Sequence, residues 1–313
     1  MIEILSFLLA YFVFPGLLFA SVFGLLFMGI DRKVTAHMQH RIGPPVWQEF
    51  LDFGKLLGKE DITPAAAQGV MFTLAPLLAL GAVVAVMLLL PINSAQPALT
   101  SVADLIVIIY LLNIPAICIM LGGYSSACPF GAVGASRYVV QLFSYELIFI
   151  IAALTVAFKV GSLSLGGIVT YQAQNGWLAF QAPLAAAAML VAAQGKLLRV
   201  PFDIPEAESE IVHGPFTEYS GPKLGLMRLA YGIELFAVAG LITVLFFGGP
   251  VAHTIAGVQI PGVVSFLIKT FAIVLLTTNI RNIAARLRID QAMKFFWTII
   301  ALLAIVNLII VVL

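Results

Sequence analysis

The stretch GVMFTLAPLLALGAVVAVMLLLP, residues 69–91, contains no Asp, Glu, Lys or Arg. A helix needs about 20 mostly apolar residues to cross the hydrocarbon core of a bilayer. This stretch is therefore predicted to be a transmembrane helix. The whole chain of 313 residues has the same character, because 62% of its residues are hydrophobic and only 10% are charged. Soluble domains carry about 25% charged residues, so a soluble fold is excluded.

Eight stretches of this kind predict an all-α polytopic membrane protein with about eight transmembrane helices in one membrane domain, 1–313. The predicted spans are 4–30, 69–91, 105–122, 139–160, 177–198, 225–247, 258–280 and 293–313. Pro15, Pro76 and Pro115 fall within them, and proline is tolerated in a membrane where neighbouring groups satisfy the freed backbone. The N-terminus lacks a signal-peptide pattern and is interpreted as the first span.

The positive charges predict the orientation of these spans. Fourteen of the 16 Lys and Arg residues fall on one side of the predicted spans: Arg32, Lys33, Arg41, Lys55, Lys59, Arg137, Lys196, Arg199, Lys223, Arg228, Arg281, Arg286, Arg288 and Lys294. The opposite loops contain only Lys159, and Lys269 lies within span seven. By the positive-inside rule, the loops at 31–68 and 199–224 are predicted to be cytoplasmic, with both termini outside the cell membrane.

The composition and the cysteine and histidine spacing do not support several classes of site and partner. The formal net charge of +1 gives no indication of a nucleic-acid partner. Cys118 and Cys128 form no CxxC motif, so the chain has no Fe-S or structural zinc signature. His37 and His40 are three residues apart, but no further Cys, His or acid completes a set of metal ligands. We therefore expect no metal or cofactor in this chain itself.

An amphipathic helix is predicted in the first cytoplasmic loop. Pro44 and Pro45 suit a helix start. The polar residues of the next segment fall on one narrow helical face: Gln48, Asp52, Lys55 and Lys59. Such a helix lies along the membrane surface or beneath a partner protein. Arg41 and Lys55 are candidate docking residues or charge partners.

Five of the fifteen acids are gathered in RVPFDIPEAESEIVHGPFTEYSG, residues 199–221. They are Asp203, Glu206, Glu208, Glu210 and Glu218. A short helix is predicted between Pro205 and Gly214, with Glu206 and Glu210 on one face. Helix dipoles explain one or two acids at about 0.3–1 kcal/mol each. The remainder favour a cluster that transfers protons or couples to a partner, and a solvated acidic loop is the alternative.

Two further acids are predicted within the membrane. Glu146 is placed near the cytoplasmic end of span four, and Glu234 about ten residues into span six. An ionised group at this depth costs about 2.5–3.5 kcal/mol, so such residues usually serve a proton relay, an ion site or helix pairing. A structural pair with Arg137 or Arg228 is the alternative. Spans two, five and eight offer almost no titratable groups, so the chain alone is not expected to translocate ions.

Four sequence blocks resemble the H/ND1 family, the membrane subunit that docks the peripheral arm of complex I and of related respiratory hydrogenases. The blocks are DRKVTAHMQHRIGPP (31–45) with DFGKLLGKE (52–60), GAVGASRYVVQLFSYE (131–146), PFDIPEAESEIVHGPFTEYSG (201–221) and RNIAARLRID (281–290). They cover all four cytoplasmic segments of the predicted topology. The third block is the most specific of them.

The resemblance implies a subunit at the junction between a peripheral redox arm and antiporter-like membrane subunits. It implies coupling roles for the five loop acids and for Glu146 and Glu234. Arg41 and Arg137 match arginines of the family's basic motifs, and Arg199 is a further candidate charge partner. The implied partners are large and small redox subunits that hold a NiFe or related centre and Fe-S clusters, antiporter-like and small membrane subunits, and the lipid bilayer.

The chain departs from the complex I pattern at two places. Complex I members continue RxGPNRVGPxG, which shapes a quinone tunnel, whereas Arg41–Pro44 here runs directly into Pro45–Glu49. Complex I usually reads NRAPFDLPE where this chain has Leu198–Asp203. These departures favour the branch of membrane-bound NiFe hydrogenases, formate hydrogenlyase and sulfane-sulfur reductase. The alternatives are a quinone-site subunit of an NADH:quinone oxidoreductase, a stand-alone cation transporter and an inert anchor.

Overall fold

The computed structural model describes residues 8–99, 104–251, 253–255 and 258–312. Its α-helices are α1 (Leu17–Met38), α2 (Gln48–Leu57), α3 (Gly69–Leu89), α4 (Asp104–Leu111), α5 (Ile114–Ser125), α6 (Pro129–Val160), α7 (Leu165–Asn175), α8 (Leu178–Gln181), α9 (Pro183–Lys196), α10 (Glu208–Ile211), α11 (Gly221–Phe246), α12 (Gly262–Ile283), α13 (Ile289–Lys294) and α14 (Ala301–Val312). A π-helical segment, Phe295–Ile300, joins α13 to α14.

Seven helical stretches are long and apolar enough to cross a membrane in the described part of the chain, which confirms the all-α polytopic class. They are Leu8–Met38, Gly69–Leu89, Asp104–Ser125, Pro129–Val160, Gly221–Phe246, Gly262–Ile283 and Ile289–Val312. The predicted span at 177–198 is different. It consists of α8 and α9, separated at Ala182, whose φ of −134° and ψ of 62° are not helical. Pro183 begins a new helix because proline has no amide hydrogen to continue the old one.

The three prolines within the predicted spans lie in different local structures. Pro76 lies inside the continuous helix α3. Pro15 falls in a non-helical break at 13–16, between the helical residues 8–12 and α1. Pro115 stands in the first turn of α5, directly after a break at Leu112 and Asn113. Of the three prolines that fall within predicted spans, only Pro76 therefore lies inside a continuous helix.

Helix α6 begins at Pro129 rather than at the predicted position 139. Its 32 residues extend for about 48 Å at 1.5 Å per residue, which exceeds the hydrocarbon core of about 30 Å. Arg137, placed in a loop by the sequence analysis, is thus a helical residue. Glu146 lies near the middle of α6 instead of near its end. The small residues of GAVGAS continue the helix beyond the apolar run from which its start was predicted.

A short hairpin precedes α12. Strands β1 (His253–Ile255) and β2 (Val258–Ile260) pair antiparallel, with His253 opposite Ile260. The predicted seventh span began at 258, but α12 begins at Gly262. Branched residues such as Thr254, Ile255 and Val258 favour extended backbone, which a hydropathy pattern does not distinguish from an apolar helix.

Helix α11 is the central element of the fold. From Ile233 to Phe246 every residue is buried. It meets α1 where Gly24 faces Gly232, and a Cβ added at Gly24 would lie 2.8 Å from the Gly232 carbonyl carbon. Beside this contact, the ring centroids of Phe27 and Phe236 are 5.3 Å apart. Because α11 carries Glu234, this packing places that carboxyl in the interior of the protein.

The acidic loop forms three short elements instead of one helix. They are a 3-10 turn at Ile204–Glu206, α10, and a 3-10 turn at Gly214–Phe216. The prediction that Glu206 and Glu210 share the face of one helix is therefore wrong. Gly214 has a φ of +53°, and a Cβ there would lie 2.0 Å from the Pro205 carbonyl oxygen. This tight reversal folds the loop back on itself instead of letting a helix continue.

Candidate functional site

A polar cleft of about 520 Å³ lies between α1, α11, the acidic loop and the segment after α12. Its charged and titratable lining residues are Asp31, Arg32, Glu49, Arg199, Asp203, Glu206, His213, Arg228, Tyr231, Arg281 and Arg286. Of the predicted site residues, the cleft brings together Asp203, Glu206 and Arg199. It does not include Glu218 or Arg41. Oppositely charged groups from four separate segments therefore share one cavity.

Asp31, which the sequence analysis did not select, anchors the inner wall of this cleft. Its Oδ2 atom lies 2.7 Å from Arg281 Nη1 and 3.3 Å from Arg199 Nη2. Its Oδ1 atom accepts a 2.6 Å hydrogen bond from Thr278 Oγ1. The Asp31 side chain is 6% exposed and that of Arg199 is 2% exposed. One buried carboxylate thus holds two arginines and ties α1 to α12 and the acidic loop.

Arg199 is a buried charge partner. Burial alone would lower the pKa of its guanidinium, but the Asp31 carboxylate and the Tyr231 side chain outweigh this, and the pKa is raised above its ordinary value. Its Nη1 also donates to Thr277 Oγ1 at 3.3 Å. The arginine is therefore held charged inside the protein, and its side chain does not reach a docking surface.

Helix α2, predicted as an amphipathic helix, is present and is tied to α1 by charge. Arg32 Nη1 lies 2.6 Å from Glu49 Oε1 and 3.2 Å from Asp52 Oδ2. Desolvation acts to raise the pKa of Asp52, but hydrogen bonds from Gln48 and Arg32 prevail and lower it. Lys55, a predicted docking residue, is largely exposed and lies 3.8 Å from Asp52. These contacts hold α2 beside the cleft entrance.

Two acids of the loop pair with different arginines. Asp203 Oδ2 lies 2.6 Å from Arg286 Nη2, and Glu210 pairs with Arg137 of α6. Glu218 is half-buried, and the side chain of Glu208 lies outside the described part of the chain. Arg41, by contrast, is exposed, and its Nε donates to Gln39 Oε1 at 2.8 Å.

The pair of Arg137 and Glu210 is expected to contribute little to stability. The Glu210 side chain is 57% exposed, and exposed ion pairs contribute about 0.2–1 kcal/mol. A double-mutant cycle with Arg137→Met and Glu210→Gln, measured by unfolding of the purified protein in detergent, should give a coupling energy in this range. A coupling energy above about 3 kcal/mol, typical of a desolvated pair, would contradict it.

Glu146 is paired with Lys196, so the alternative of an arginine partner from Arg137 or Arg228 is wrong. Lys196 Nζ lies 3.5 Å from Glu146 Oε2 and donates to Asn113 Oδ1 at 2.7 Å. Asn113 Nδ2 in turn donates to Glu146 Oε1 at 2.7 Å. Sequence reasoning missed both partners. Lys196 was counted with the positive charges on one side of the predicted spans, and Asn113 lies in an apolar run interrupted by a helix break.

Glu234 is 3% exposed. Its Oε1 atom has no hydrogen-bond partner within the described part of the chain, and neither does the hydroxyl of Tyr145. An electrostatic interaction with Lys196 reaches the Glu234 carboxyl, and Tyr138 interacts with it as well. The two intramembrane glutamates thus interact with the same buried ammonium group.

Metal-ligating side chains are dispersed. Among the described residues, no group of three His, Cys, Asp or Glu is placed to hold a metal ion. His37 and His40 are exposed, and the thiols of Cys118 and Cys128 are free. The charged side chains that line the cleft can bind and release protons or small ions.

Comparison with known proteins agrees with the resemblance seen in the sequence. The family described as NADH dehydrogenase matches residues 11–312. The H subunit of the NADH-quinone oxidoreductase of Geobacillus thermodenitrificans is 38% identical over 309 residues, covering 96% of this chain and 92% of the relative. The H subunit from Bacillus cytotoxicus is 36% identical, with 95% and 92% covered.

A solved structure matches over almost the full length. It is a chain of the membrane-bound sulfane sulfur reductase, an archaeal respiratory membrane complex, with a TM-score of 0.88 and 31% sequence identity. The match covers 99% of this chain and 100% of that one. The described helices therefore share the fold of that membrane-complex chain. The chain belongs to the NADH dehydrogenase family, the H/ND1 family of complex I membrane subunits.

Proposed function

We propose that this chain is the membrane subunit that anchors a peripheral redox arm and couples electron transfer in that arm to proton or sodium translocation in antiporter-like subunits. The observation that carries the proposal is the series of charged groups that begins in the open cleft and continues inward. Asp203 and Glu206 line the cleft, Asp31 and Arg199 form its buried wall, and Glu146 and Glu234 lie in membrane-spanning helices beyond it. Ionisable groups at membrane depth usually serve transport.

The surface around the cleft supports docking of a partner. Large apolar side chains stand exposed on three of the polar segments: Ile42 at 99%, Val212 at 55% and Ile283 at 80% exposed. Exposed apolar groups rimmed by charges are typical of interaction sites. The partner that we propose is the redox arm, with large and small subunits that carry a NiFe-type centre and Fe-S clusters. Antiporter-like and small membrane subunits would contact the apolar outer faces of the helices.

Orientation follows from the same assignment. By the positive-inside rule, the basic loops at 31–68 and 199–224 and the cleft beside them face the cytoplasm, and both termini face outward. This orientation requires an even number of crossings, so the interrupted segment of α8 and α9 supplies the eighth crossing. Glu210, Glu218 and Lys55 then lie at the arm side of the membrane. Arg41, exposed near Ile42, belongs to the same docking region.

The coupling role is tested in the purified complex reconstituted in liposomes, with electron transfer and ion uptake measured together. Glu210→Gln, Glu218→Gln and Glu234→Gln are expected to leave assembly and electron transfer intact. Ion uptake per electron should fall on the order of 100-fold in the most affected variant, the lower end of what a positioned proton-transfer group contributes. Ionophores selective for protons or sodium identify the ion.

The matched control is Asp290→Asn, which neutralises an exposed acid in the first turn of α13. It should leave both rates unchanged. If all three glutamine variants showed native ion uptake per electron, the coupling role would be wrong and the chain would serve only as an anchor. The chain without its partners should carry no ion flux in liposomes; flux would support the stand-alone transporter.

A quinone-site subunit is the second candidate. The curated relatives at 36–38% identity are subunits of NADH-quinone oxidoreductases. The cleft volume also falls in the range of about 300–1,000 Å³ found for small-molecule sites, and Met28, Phe216, Leu224 and Met227 give it apolar wall segments. Saturable inhibition of the complex by a quinone analogue, weakened by Met227→Trp, would favour this candidate over the hydrogenase-type assignment.

A further inference from the structure

Lys196 occupies an unusual place for a lysine. It is the last residue of α9, and its side chain is 1% exposed. The Nζ atom lies 5.3 Å from the ring centroid of Tyr145 and 5.2 Å from that of Phe149. A buried ammonium group is strongly unfavourable unless it is paired and hydrogen-bonded. The contacts of Lys196 must therefore supply a compensating negative charge.

The first compensating charge is Glu146. Asn113 joins the two groups, since it accepts from Lys196 and donates to Glu146, both at 2.7 Å. The direct distance from Lys196 Nζ to Glu146 Oε2 is longer, at 3.5 Å. Asn113 can reach both groups because the helix is broken just before Pro115. The ammonium is thus held firmly by an amide and only loosely by the carboxylate.

The second compensating charge is Glu234. Its Oε1 atom has no hydrogen-bond partner in the described residues, and Lys196 is the cation whose electrostatic interaction reaches it. One carboxylate therefore contacts the ammonium directly, and the buried carboxyl of Glu234 interacts with the same charge over a longer distance. Tyr138 and Tyr145 are the neighbouring titratable groups. The buried cluster is neutral only when one of the two glutamates carries a proton.

We propose that Lys196 is the shared counter-ion of Glu146 and Glu234, and that the position of its ammonium group between them determines which glutamate holds the transferred proton. The inference deepens the proposed coupling function and rests on it. When a proton leaves the carboxylic acid of one glutamate and binds the carboxylate of the other, the charge of the cluster does not change. The ammonium group then moves towards the newly ionised carboxylate.

The chemistry of lysine suits this role. Its ammonium is a compact charge with three donors on a flexible stem, whereas the planar guanidinium of arginine forms a fixed two-point pair with one carboxylate. The C-terminal end of α9 also favours a cation through its dipole. A cation that must serve two partners in turn is therefore better supplied by lysine than by arginine.

The proposal is tested in the assembled complex with Lys196→Met, Lys196→Arg and the control Lys269→Met. Lys269 is a half-buried lysine of α12, and its ammonium donates to the Gly249 carbonyl at 3.0 Å. Two readouts are measured: ion uptake per electron, and the infrared absorption of protonated carboxyl groups, assigned with Glu146→Gln and Glu234→Gln. The native complex should show one protonated glutamate in the cluster.

Lys196→Met should show both glutamates protonated and an ion uptake that falls by about tenfold or more, since a positioned proton-transfer partner is lost. Lys196→Arg, which keeps the buried charge and therefore protects assembly, should show one protonated glutamate with slowed uptake. The control should match the native complex.

A native infrared signal in Lys196→Met, or native ion uptake in Lys196→Arg, would show that Lys196 is not the shared counter-ion of the two glutamates. The two proposals fail separately. If Glu146→Gln and Glu234→Gln leave ion uptake intact, the coupling function is wrong. The number of protonated glutamates in Lys196→Met, measured by infrared absorption, still decides whether the two glutamates share the ammonium group.

Discussion

Replacing Asp31 by Asn is expected to destabilise the protein by about 3–5 kcal/mol, because removing one partner of a buried ion pair leaves the other charge uncompensated. Asn fills the same space, so no cavity contributes. Arg199 would remain in the interior without its carboxylate, and one of the two oxygens that Arg281 and Thr278 contact would be replaced by an NH2 group. The cleft wall would then separate from α12, so ion coupling should be lost together with stability.

The change is measured as thermal unfolding of the purified complex in detergent, followed by tryptophan fluorescence, and a fall in midpoint of about 10 °C is expected. Asp52→Asn is the matched control, because Asp52 belongs to a more exposed network and should cost no more than about 1 kcal/mol. The double variant Asp31→Asn with Arg199→Met should recover part of the loss. Equal effects of the two single Asp variants would contradict the role of Asp31.

Gly24→Leu is expected to prevent α1 and α11 from packing together. A Cβ at Gly24 meets backbone atoms of Gly232 and Ile233 at 2.8–2.9 Å, and backbone cannot rotate away as a side chain can. Inserting atoms into a packed core costs about 1–3 kcal/mol and sometimes more. Close approach of helices in a membrane depends on such small residues, so the yield of assembled complex should fall steeply.

The yield is measured by size-exclusion chromatography of the detergent-extracted complex. Gly81→Leu in α3 is the control, because a Cβ at Gly81 meets nothing within 4 Å and the new side chain can be accommodated. Native assembly of Gly24→Leu would show that α1 is free to shift away from α11. Since α11 carries Glu234, such a shift would also require another account of how that carboxyl is buried.

The fold was largely predictable because hydropathy reports burial in lipid directly. Seven of the eight predicted spans correspond to helices that can cross a membrane. The eighth failed because hydropathy does not register backbone continuity, and Pro183 interrupts an apolar stretch without lowering its hydropathy. The same limitation hid the break at Asn113, which supplies a polar side chain inside the membrane.

The acids of the loop and of the predicted spans were selected from the sequence, whereas Asp31 and the partners of these acids were not. Glutamates at membrane depth are conspicuous in an apolar sequence, so Glu146 and Glu234 were identified. Asp31 and Arg281 meet across 250 positions of the chain, and no local pattern indicates such a contact. Lys196 was counted with the cytoplasmic-side charges because it ends an apolar run, and only packing shows that its side chain is buried.

The interrupted segment formed by α8 and α9 has a consequence for biosynthesis. Helix α9 is about 21 Å long from its 14 residues, which is too short to enter a bilayer as an independent unit. It also ends in a lysine that would meet lipid if the segment entered alone. We therefore expect the insertion machinery to retain this segment until α6, which carries Glu146, lies beside it. The segment would then enter the membrane and Lys196 would pair with Glu146 in the same step.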